Sequence, residues 1–425
     1  MVNMPSERPV SILATMSRET SQLRNWSWAT SSSWVQERIF LGMTFREYLK
    51  SLWTPFNIVC AAVLAVGLPV LVARFYLGLG ATTNLSQTQP WGLWIGFDMM
   101  TGIALAAGGF TIGATVEIFG LEEYHAIERP AILTGFLGYM LAVVGLIIDL
   151  GKPWNMVGIF SNNGTQSVLF EVAWCVALYT TVLMLEFAVP FFEWLGWERF
   201  HRPLKKALLA LTVLSVMFST MHQSALGSLF IIAPGKLHPL WYSGQIFLFF
   251  FISAMIAGIC MVIVESTISH KIFSEQFEGQ HIDVEKLSLG LAKAGAVVMF
   301  AYFFLKMQGV IDNHALGLIG VGFYGKWFLL EMLGFVLLPS LMFAWGARNR
   351  RITPVRIAAV LGVLGIVLNR LTVSLIAYNY NQAVRYWPSW MEVAVSLMLV
   401  LIGIMAFRWI VNRMPVLRPL PGMKH

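Results

Sequence analysis

The chain has 425 residues, of which 57% are hydrophobic and only 12% charged. An average soluble protein is roughly one quarter Asp, Glu, Lys and Arg. So low a charge content over this length excludes a water-soluble domain and predicts a polytopic membrane protein. The formal charge of +7 would suit a nucleic-acid binder, but the placement of the basic residues assigns it to topology instead.

Residues 1–53 are polar, with Ser/Thr clusters and scattered Arg, and lack the apolar core and small-residue cleavage site of a signal peptide. They read as a cytoplasmic extension. From Trp34 to Trp53 aromatic, aliphatic and basic residues alternate, a mixture that suits an interfacial helix lying along the membrane surface. A bilayer core of about 30 Å needs roughly 20 apolar residues per helix. Ten segments qualify: 54–76, 91–117, 130–150, 166–191, 205–222, 243–267, 288–308, 322–346, 354–375 and 389–412. They form a ten-span domain over 54–412, followed by a basic cytoplasmic tail at 413–425. The three cysteines, Cys60, Cys175 and Cys260, each stand alone in an apolar run. That excludes paired-cysteine zinc or iron–sulfur motifs, covalent haem attachment and a disulfide framework, and leaves small core residues.

With both termini placed in the cytoplasm, 21 Lys and Arg fall on the cytoplasmic side and seven on the other, with Lys293 inside a span. The positive-inside rule favours that orientation, and the basic excess no longer argues for nucleic acid. The outer connections are rich in Trp, Tyr, Asn, Gly and Pro: Asn84 to Trp94, Lys152 to Gln166, His222 to Tyr242, Ile311 to Trp327 and Tyr378 to Trp390. Such connections either fold back into the protein or form a platform for an extrinsic partner.

Ionisable residues inside spans are costly and mark function or a buried pair. They sort by depth. Asp98, Asp149, Glu171, Lys306, Glu331, Arg370 and Glu392 lie near the outer face, with His222 and His238 close by; Glu117, Glu186, Glu265 and Lys293 lie toward the cytoplasm. All eight histidines fall in loops or at expected helix ends, so no intramembrane His pair is offered to a b-type haem. No metal-site spacing occurs on a single helix, and there is no P-loop, dinucleotide fingerprint or nucleophile elbow. The densest constellation is Met221 to Ser228, followed by Lys236 to Trp241. Imidazole, amide and hydroxyl groups there meet apolar neighbours. That suits the head of a carbonyl-bearing amphiphile, or equally a helix-terminating turn that satisfies its own carbonyls.

Pro90-Trp91-Gly92-Leu93-Trp94 with Phe97-Asp98, Tyr124-His125 with Arg129-Pro130-Ala131, and Ile148 to Lys152 with Trp154-Asn155 form an ordered series of motifs. The series continues with Val168 to Glu171, Met221 to Leu229 with His238 to Trp241, and Arg370-Leu371-Thr372 with Ser374-Leu375. In these stretches the chain resembles the NrfD/polysulfide-reductase membrane-subunit family, in its HybB-like branch; the run MHQSALGSL is the most specific. The polar extension of about fifty residues departs from shorter HybB-like proteins.

The resemblance implies an integral subunit of the bacterial-type inner membrane that exchanges electrons between the quinone pool, menaquinone by preference, and an iron–sulfur ferredoxin-like partner on the periplasmic side. It implies no haem and no iron–sulfur cluster in this chain. It also implies two four-helix bundles, spans two to five and six to nine, flanked by the first and last spans. A hydrogenase-type complex is the first reading; a multihaem-cytochrome or molybdoenzyme complex is the alternative. A passive anchor and a secondary transporter are rival classes, the latter disfavoured because the polar groups crowd the outer edge.

Quinone reduction takes two electrons and two protons, so acid/base groups near the carbonyl oxygens are required. His222 is the leading candidate to bond or protonate one carbonyl, with Gln223 and Ser224 orienting it. Asp149 and Asp98 exchange protons, Arg370 polarises a carbonyl or holds a carboxylate ionised, His238 lies nearby, and Trp241 packs on the ring. Glu117, Glu186, Glu265 and Lys293, with Glu171 at the outer end, are spaced either as a proton route or as unrelated buried pairs.

Overall fold

The computed structural model describes residues 31–162, 164–277, 283–383 and 385–417. Most of the polar extension (1–30) and the end of the basic tail (418–425) therefore lie outside the described residues. Among those described the chain is all-helical, with no strand and ten helices long and apolar enough to cross a membrane. They are Pro55–Leu77, Trp94–Ile118, Glu122–Asp149, Val168–Leu195, Glu198–Ser228, Ile246–Ile272, Val284–Asp312, Gly322–Arg348, Ile352–Ile376 and Trp390–Val411. An all-helical chain is what a bilayer demands, because hydrocarbon offers no partner to an unpaired backbone N–H or C=O.

Several helices outrun their apolar windows. The third starts at Glu122 rather than 130, and the fifth runs over 198–228 instead of 205–222. An apolar window measures the hydrocarbon, whereas a helix continues as long as its backbone stays bonded and long polar side chains reach water. Two expectations change as a result. His222 sits six residues inside the fifth span, not at its end, and His125 shares one helix with Glu128 at i,i+3 instead of lying in a loop.

Among the described residues, 31–58 form a small unit of their own. Where one interfacial helix was expected there are two short ones, Ser31–Arg38 and Phe45–Ser51. Leu41 and Gly42 separate them, both at positive φ (54° and 77°), where a right-handed helix cannot continue. Thr44 and Glu47 close a capping box on the second helix, satisfying its first N–H groups.

In the membrane unit, spans two to five pack as one four-helix bundle and spans six to nine as another, with the tenth against the second and third. The first joins that flank through a cluster of Val70, Trp94, Ile148, Val395, Met398 and Leu399. In the apolar stretches of the second and sixth spans 78% and 67% of residues are buried, against 17% in the first. The second and sixth spans are therefore the seam between bundles. A Cβ on Gly258 would stand 2.8 Å from the carbonyl carbon of Ala107, and one on Gly108 2.8 Å from Val262. Small residues let the helices touch backbone to backbone, the main source of helix association where lipid removes the hydrophobic drive.

The α-ladder of the second span breaks at Ala106–Ala107, directly against Gly258, where irregular backbone is shielded from lipid by protein. Widened π-helical turns occur at Trp94–Thr101, Ala114–Ile118, Leu330–Leu337 and Thr372–Ile376. They carry Asp98, Glu117 and Glu331, and the last begins two residues after Arg370. Insertions of this kind accumulate at functional sites.

The crossing at Gly258 yields a test. Gly258→Ala forces backbone apart in a filled seam and is expected to cost about 1–3 kcal/mol, read as a lower thermal midpoint in detergent. Gly102→Ala, where a Cβ would meet nothing within 4 Å, should leave the midpoint unchanged or raised. Equal behaviour of the two variants would remove the crossing from its role.

Candidate functional site

Inside the first bundle, one face of the fifth span presents Thr212, Ser215, Ser219 and Gln223, spaced 3, 4 and 4 residues apart, with His222 beside them. All five are at most 1% exposed. Opposite stand Tyr139 of the third span and Tyr179 and Glu186 of the fourth, also buried. The Ser215 hydroxyl donates to Glu186 Oε2 at 3.4 Å, and Gln223 Nε2 donates to the Ile103 carbonyl at 3.4 Å. The tyrosine rings meet edge to face at 4.5 Å, and Tyr139 meets the His222 ring at 5.8 Å.

Many polar atoms here lack a hydrogen bond of good geometry: both ring nitrogens of His222, the hydroxyls of Thr212 and Ser219, Gln223 Oε1, and the hydroxyls of Tyr139 and Tyr179, which stand within reach of Ser219 and Gln223 and of Ser215 and Ser219 respectively. An unpaired buried polar group costs about 1–3 kcal/mol, and native interiors rarely gather several. A continuous file of them, running from Glu186 outward to His222, is suited to a polar guest and to passing protons. Glu186 interacts electrostatically with Glu128 and Glu117, which extends the file to the end of the bundle where the second and third spans meet.

A second group lies on the flank of that bundle. Asp98 Oδ2 accepts from Ser396 at 2.6 Å, and Asp149 Oδ1 has no partner. Arg74, 1% exposed, donates through Nε to the Ile148 carbonyl at 2.6 Å and through its terminal nitrogen to Leu150. It thus caps the carbonyl end of the third span, where a cation is favoured, and lies in electrostatic range of Asp149. Glu392 is structural: its carboxylate accepts from the Asn84 and Ser389 amides at 3.1 and 2.8 Å and from the Tyr386 hydroxyl.

The third group is the core of the second bundle. Glu331 accepts from Trp241 Nε1 at 3.0 Å and from Asn369 Nδ2 at 2.6 Å. Arg370 donates to Asn369 Oδ1 (2.9 Å), Ser253 Oγ (2.8 Å) and the Phe250 carbonyl (3.1 Å), with its guanidinium 3.9 Å over the Phe250 ring. Lys306 donates to the Trp241 carbonyl at 3.4 Å.

The residues singled out from the sequence thus divide. His222 and Gln223 stand together at the outer end of the polar file; Ser224 is half-buried beside them. Asp98 and Asp149 form the flank group, while Arg370 and Trp241 belong to the second bundle. No hydrogen bond or ion pair joins the three groups among the described residues. Of the inner set, Glu117 and Glu186 stand on the file. Glu265, beside Thr134, faces a separate cleft lined by Ser266, Ser269 and Leu417. Lys293 and Glu171 are exposed. Tyr139, Tyr179 and Arg74 escaped notice in the sequence; the Thr212, Ser215, Ser219, Gln223 periodicity was the available signal for the first two.

The outer connections fold back into the protein in part. Trp154 and Trp387 remain exposed, whereas Trp241 and His238 fold inward. An antiparallel bridge of Leu237 with Tyr378 latches two of these loops together, and the His238 amide donates to the Ala377 carbonyl at 3.0 Å. The His238 ring lies 4.6 Å over Tyr324 and 4.8 Å from Tyr380.

The family model for polysulphide reductase, NrfD, matches residues 81–382, a stretch that contains the polar file and the latched loops. A protein of Nitratidesulfovibrio vulgaris is 46% identical over 379 residues, covering 88% of this chain and 97% of its own. The probable Ni/Fe-hydrogenase 2 b-type cytochrome subunit of Escherichia coli is 33% identical, covering 84% and 91%. The menaquinone reductase integral membrane subunit of Nitratidesulfovibrio vulgaris is 27% identical, covering 76% and 82%.

Within the matched stretch, burial lowers the His238 pKa from 6.5 to about 4, so the imidazole is neutral at pH 7. Its unfolded form binds a proton first, so the stability it contributes is complete above pH 6.5 and is lost as pH falls toward 4. The thermal midpoint should therefore drop more steeply over that window in the parent than in His238→Gln. Parallel pH profiles would show that His238 is not buried as described.

Proposed function

The chain belongs to the polysulphide reductase NrfD family, and on that premise we propose that it is the quinone-binding membrane subunit of a respiratory oxidoreductase complex. Electrons pass between the membrane quinone pool, menaquinone by preference, and an iron–sulfur partner docked on the outer loops. A hydrogenase-type complex is the first reading, because the relative whose name carries a hydrogenase is more similar to this chain than those named for a menaquinone reductase or a selenate reductase. The supporting observation is the file of buried polar groups, many without a hydrogen bond of good geometry, that reaches His222 from the inner face.

A bound quinone supplies the two-electron, two-proton chemistry; this chain supplies contacts and protons. His222 and Gln223 hydrogen-bond the head group, the imidazole acting as proton donor and acceptor at one carbonyl oxygen. Ser224 supports the helix turn that presents them. Tyr139, Ser219, Tyr179 and Ser215 hand protons along the file, with Glu186 as the reservoir and Glu117 at its inner end. Asp98 and Asp149 exchange protons with the outer side, where Arg74 keeps a positive charge beside them. Trp241 directly, and Arg370 through Asn369, hold Glu331 and so fix the second bundle and the latched loop above it, with His238 locked in that latch. Proton delivery from the inner face to a site near the outer one makes turnover electrogenic.

Two variants test this reading. In the purified complex, His222→Gln is expected to lower quinone-coupled turnover by about 100-fold while the subunits still copurify; full turnover would leave the chain a passive anchor. In proteoliposomes, Glu186→Gln is expected to abolish proton uptake from the inner side and slow turnover with it. Unchanged charge movement at unchanged turnover would take Glu186 off the route.

A further inference from the structure

At the inner end of the first bundle, Glu117, His125 and Glu128 each place one potential ligand atom within 4.8 Å of the other two. We propose that these three residues form a binding site for a divalent transition-metal cation of the zinc type. Two are brought together by one helix: His125 opens it and Glu128 follows one turn later, with His125 Nδ1 2.5 Å from Glu128 Oε2. The third arrives on the π-helical turn Ala114–Ile118 that ends the second span.

A simple His–Glu pair leaves too much unexplained here. Glu128 is 2% exposed, yet its Oε1 has no hydrogen-bond partner. A buried carboxylate oxygen left unpaired next to a second acid is costly unless something positive joins it. Glu117 forms no ion pair among the described residues. The adjacent cation does not serve, since Arg129 is committed to Glu193 at 3.0 Å and to the Pro415 carbonyl at 2.7 Å. Deeper in the bundle stands another acid, Glu186, in electrostatic contact with both Glu128 and Glu117. Three carboxylates thus gather around one imidazole, which itself already pairs with Glu128.

The donor set selects the ion. One imidazole nitrogen with two carboxylate oxygens suits zinc and its first-row neighbours, whereas calcium and magnesium take all-oxygen shells. Three protein ligands leave a coordination position for water, the pattern of an open rather than a closed site. His125 has 36% of its side chain exposed, which gives an ion access from the inner aqueous phase. Glu117, half-buried at a helix end, has the freedom to close on it. The site stands on these residues alone, whether or not the polar file beyond it carries protons.

Cobalt reports such a site directly, because its visible ligand-field bands depend on coordination. The full-length protein, stripped with chelator in detergent, is titrated with Co²⁺ and then with Zn²⁺. One equivalent of Co²⁺ should bind with bands displaced by Zn²⁺ and untouched by Ca²⁺. His125→Ala and Glu128→Gln should each weaken binding at least about tenfold, since even outer-sphere changes at metal sites reach that size. Glu117→Gln, at a half-exposed position, should do the same and carries the test should a buried variant fail to fold. His270→Ala, an exposed histidine of the sixth span on the same face, should bind as the parent does. Absence of a saturable Co²⁺ spectrum, equal affinity in Glu117→Gln, or loss in His270→Ala instead would overturn the site.

Discussion

Gly258 lets the sixth span lie on the backbone of the second at Ala107 and Gly108, and the arrangement of both bundles depends on that contact. In lipid, two apolar helices gain little by leaving solvent, so association rests on how closely their surfaces fit. A side chain at this point would separate the bundles by about its own width. The close fit also shields the broken ladder at Ala106–Ala107, which would otherwise expose unpaired backbone to hydrocarbon. One contact thus sets the spacing of the bundles and permits the irregular span between them.

Within that frame the first bundle tolerates an interior that no purely structural demand explains. Its fifth span turns hydroxyls, an amide and an imidazole inward, where a stable packed core would place Leu or Ala. Tyr139 and Tyr179 contribute large aromatic surfaces and so keep the bundle packed, while their hydroxyls extend the polar file. The second bundle solves the same problem differently. Its ionisable groups are tied to one another through Trp241, Asn369 and Ser253, so that a buried charge network is largely satisfied. One bundle carries spare hydrogen-bonding capacity and the other spends its own on structure.

The widened turns connect these interiors to the backbone. Asp98, Glu117 and Glu331 each lie on a π-helical segment, where one extra residue per turn rotates a side chain away from the ordinary helical phase. Phase reckoned at 3.6 residues per turn fails at those positions. Asp98 and His222, grouped by depth in the sequence, face different neighbours: Ser396 of the tenth span for one, Tyr139 of the third for the other.

The amino-acid sequence by itself determined the ten spans and sorted most ionisable residues by depth, His125 and His222 excepted, because the thickness of hydrocarbon acts on each segment independently of its neighbours. Its ordered motifs also determined the family. Only the tertiary structure decided which residues at one depth belong together: His222 with the tyrosine file, Asp98 and Asp149 with Arg74, and Arg370 with Glu331. Depth is a property of one helix, whereas azimuth depends on packing, on glycine crossings and on widened turns. The inner cluster shows the same division. Glu117, His125 and Glu128 were visible as separate letters, but their meeting required a helix that begins five residues before Pro130 and a bundle that brings the end of one span to the start of the next.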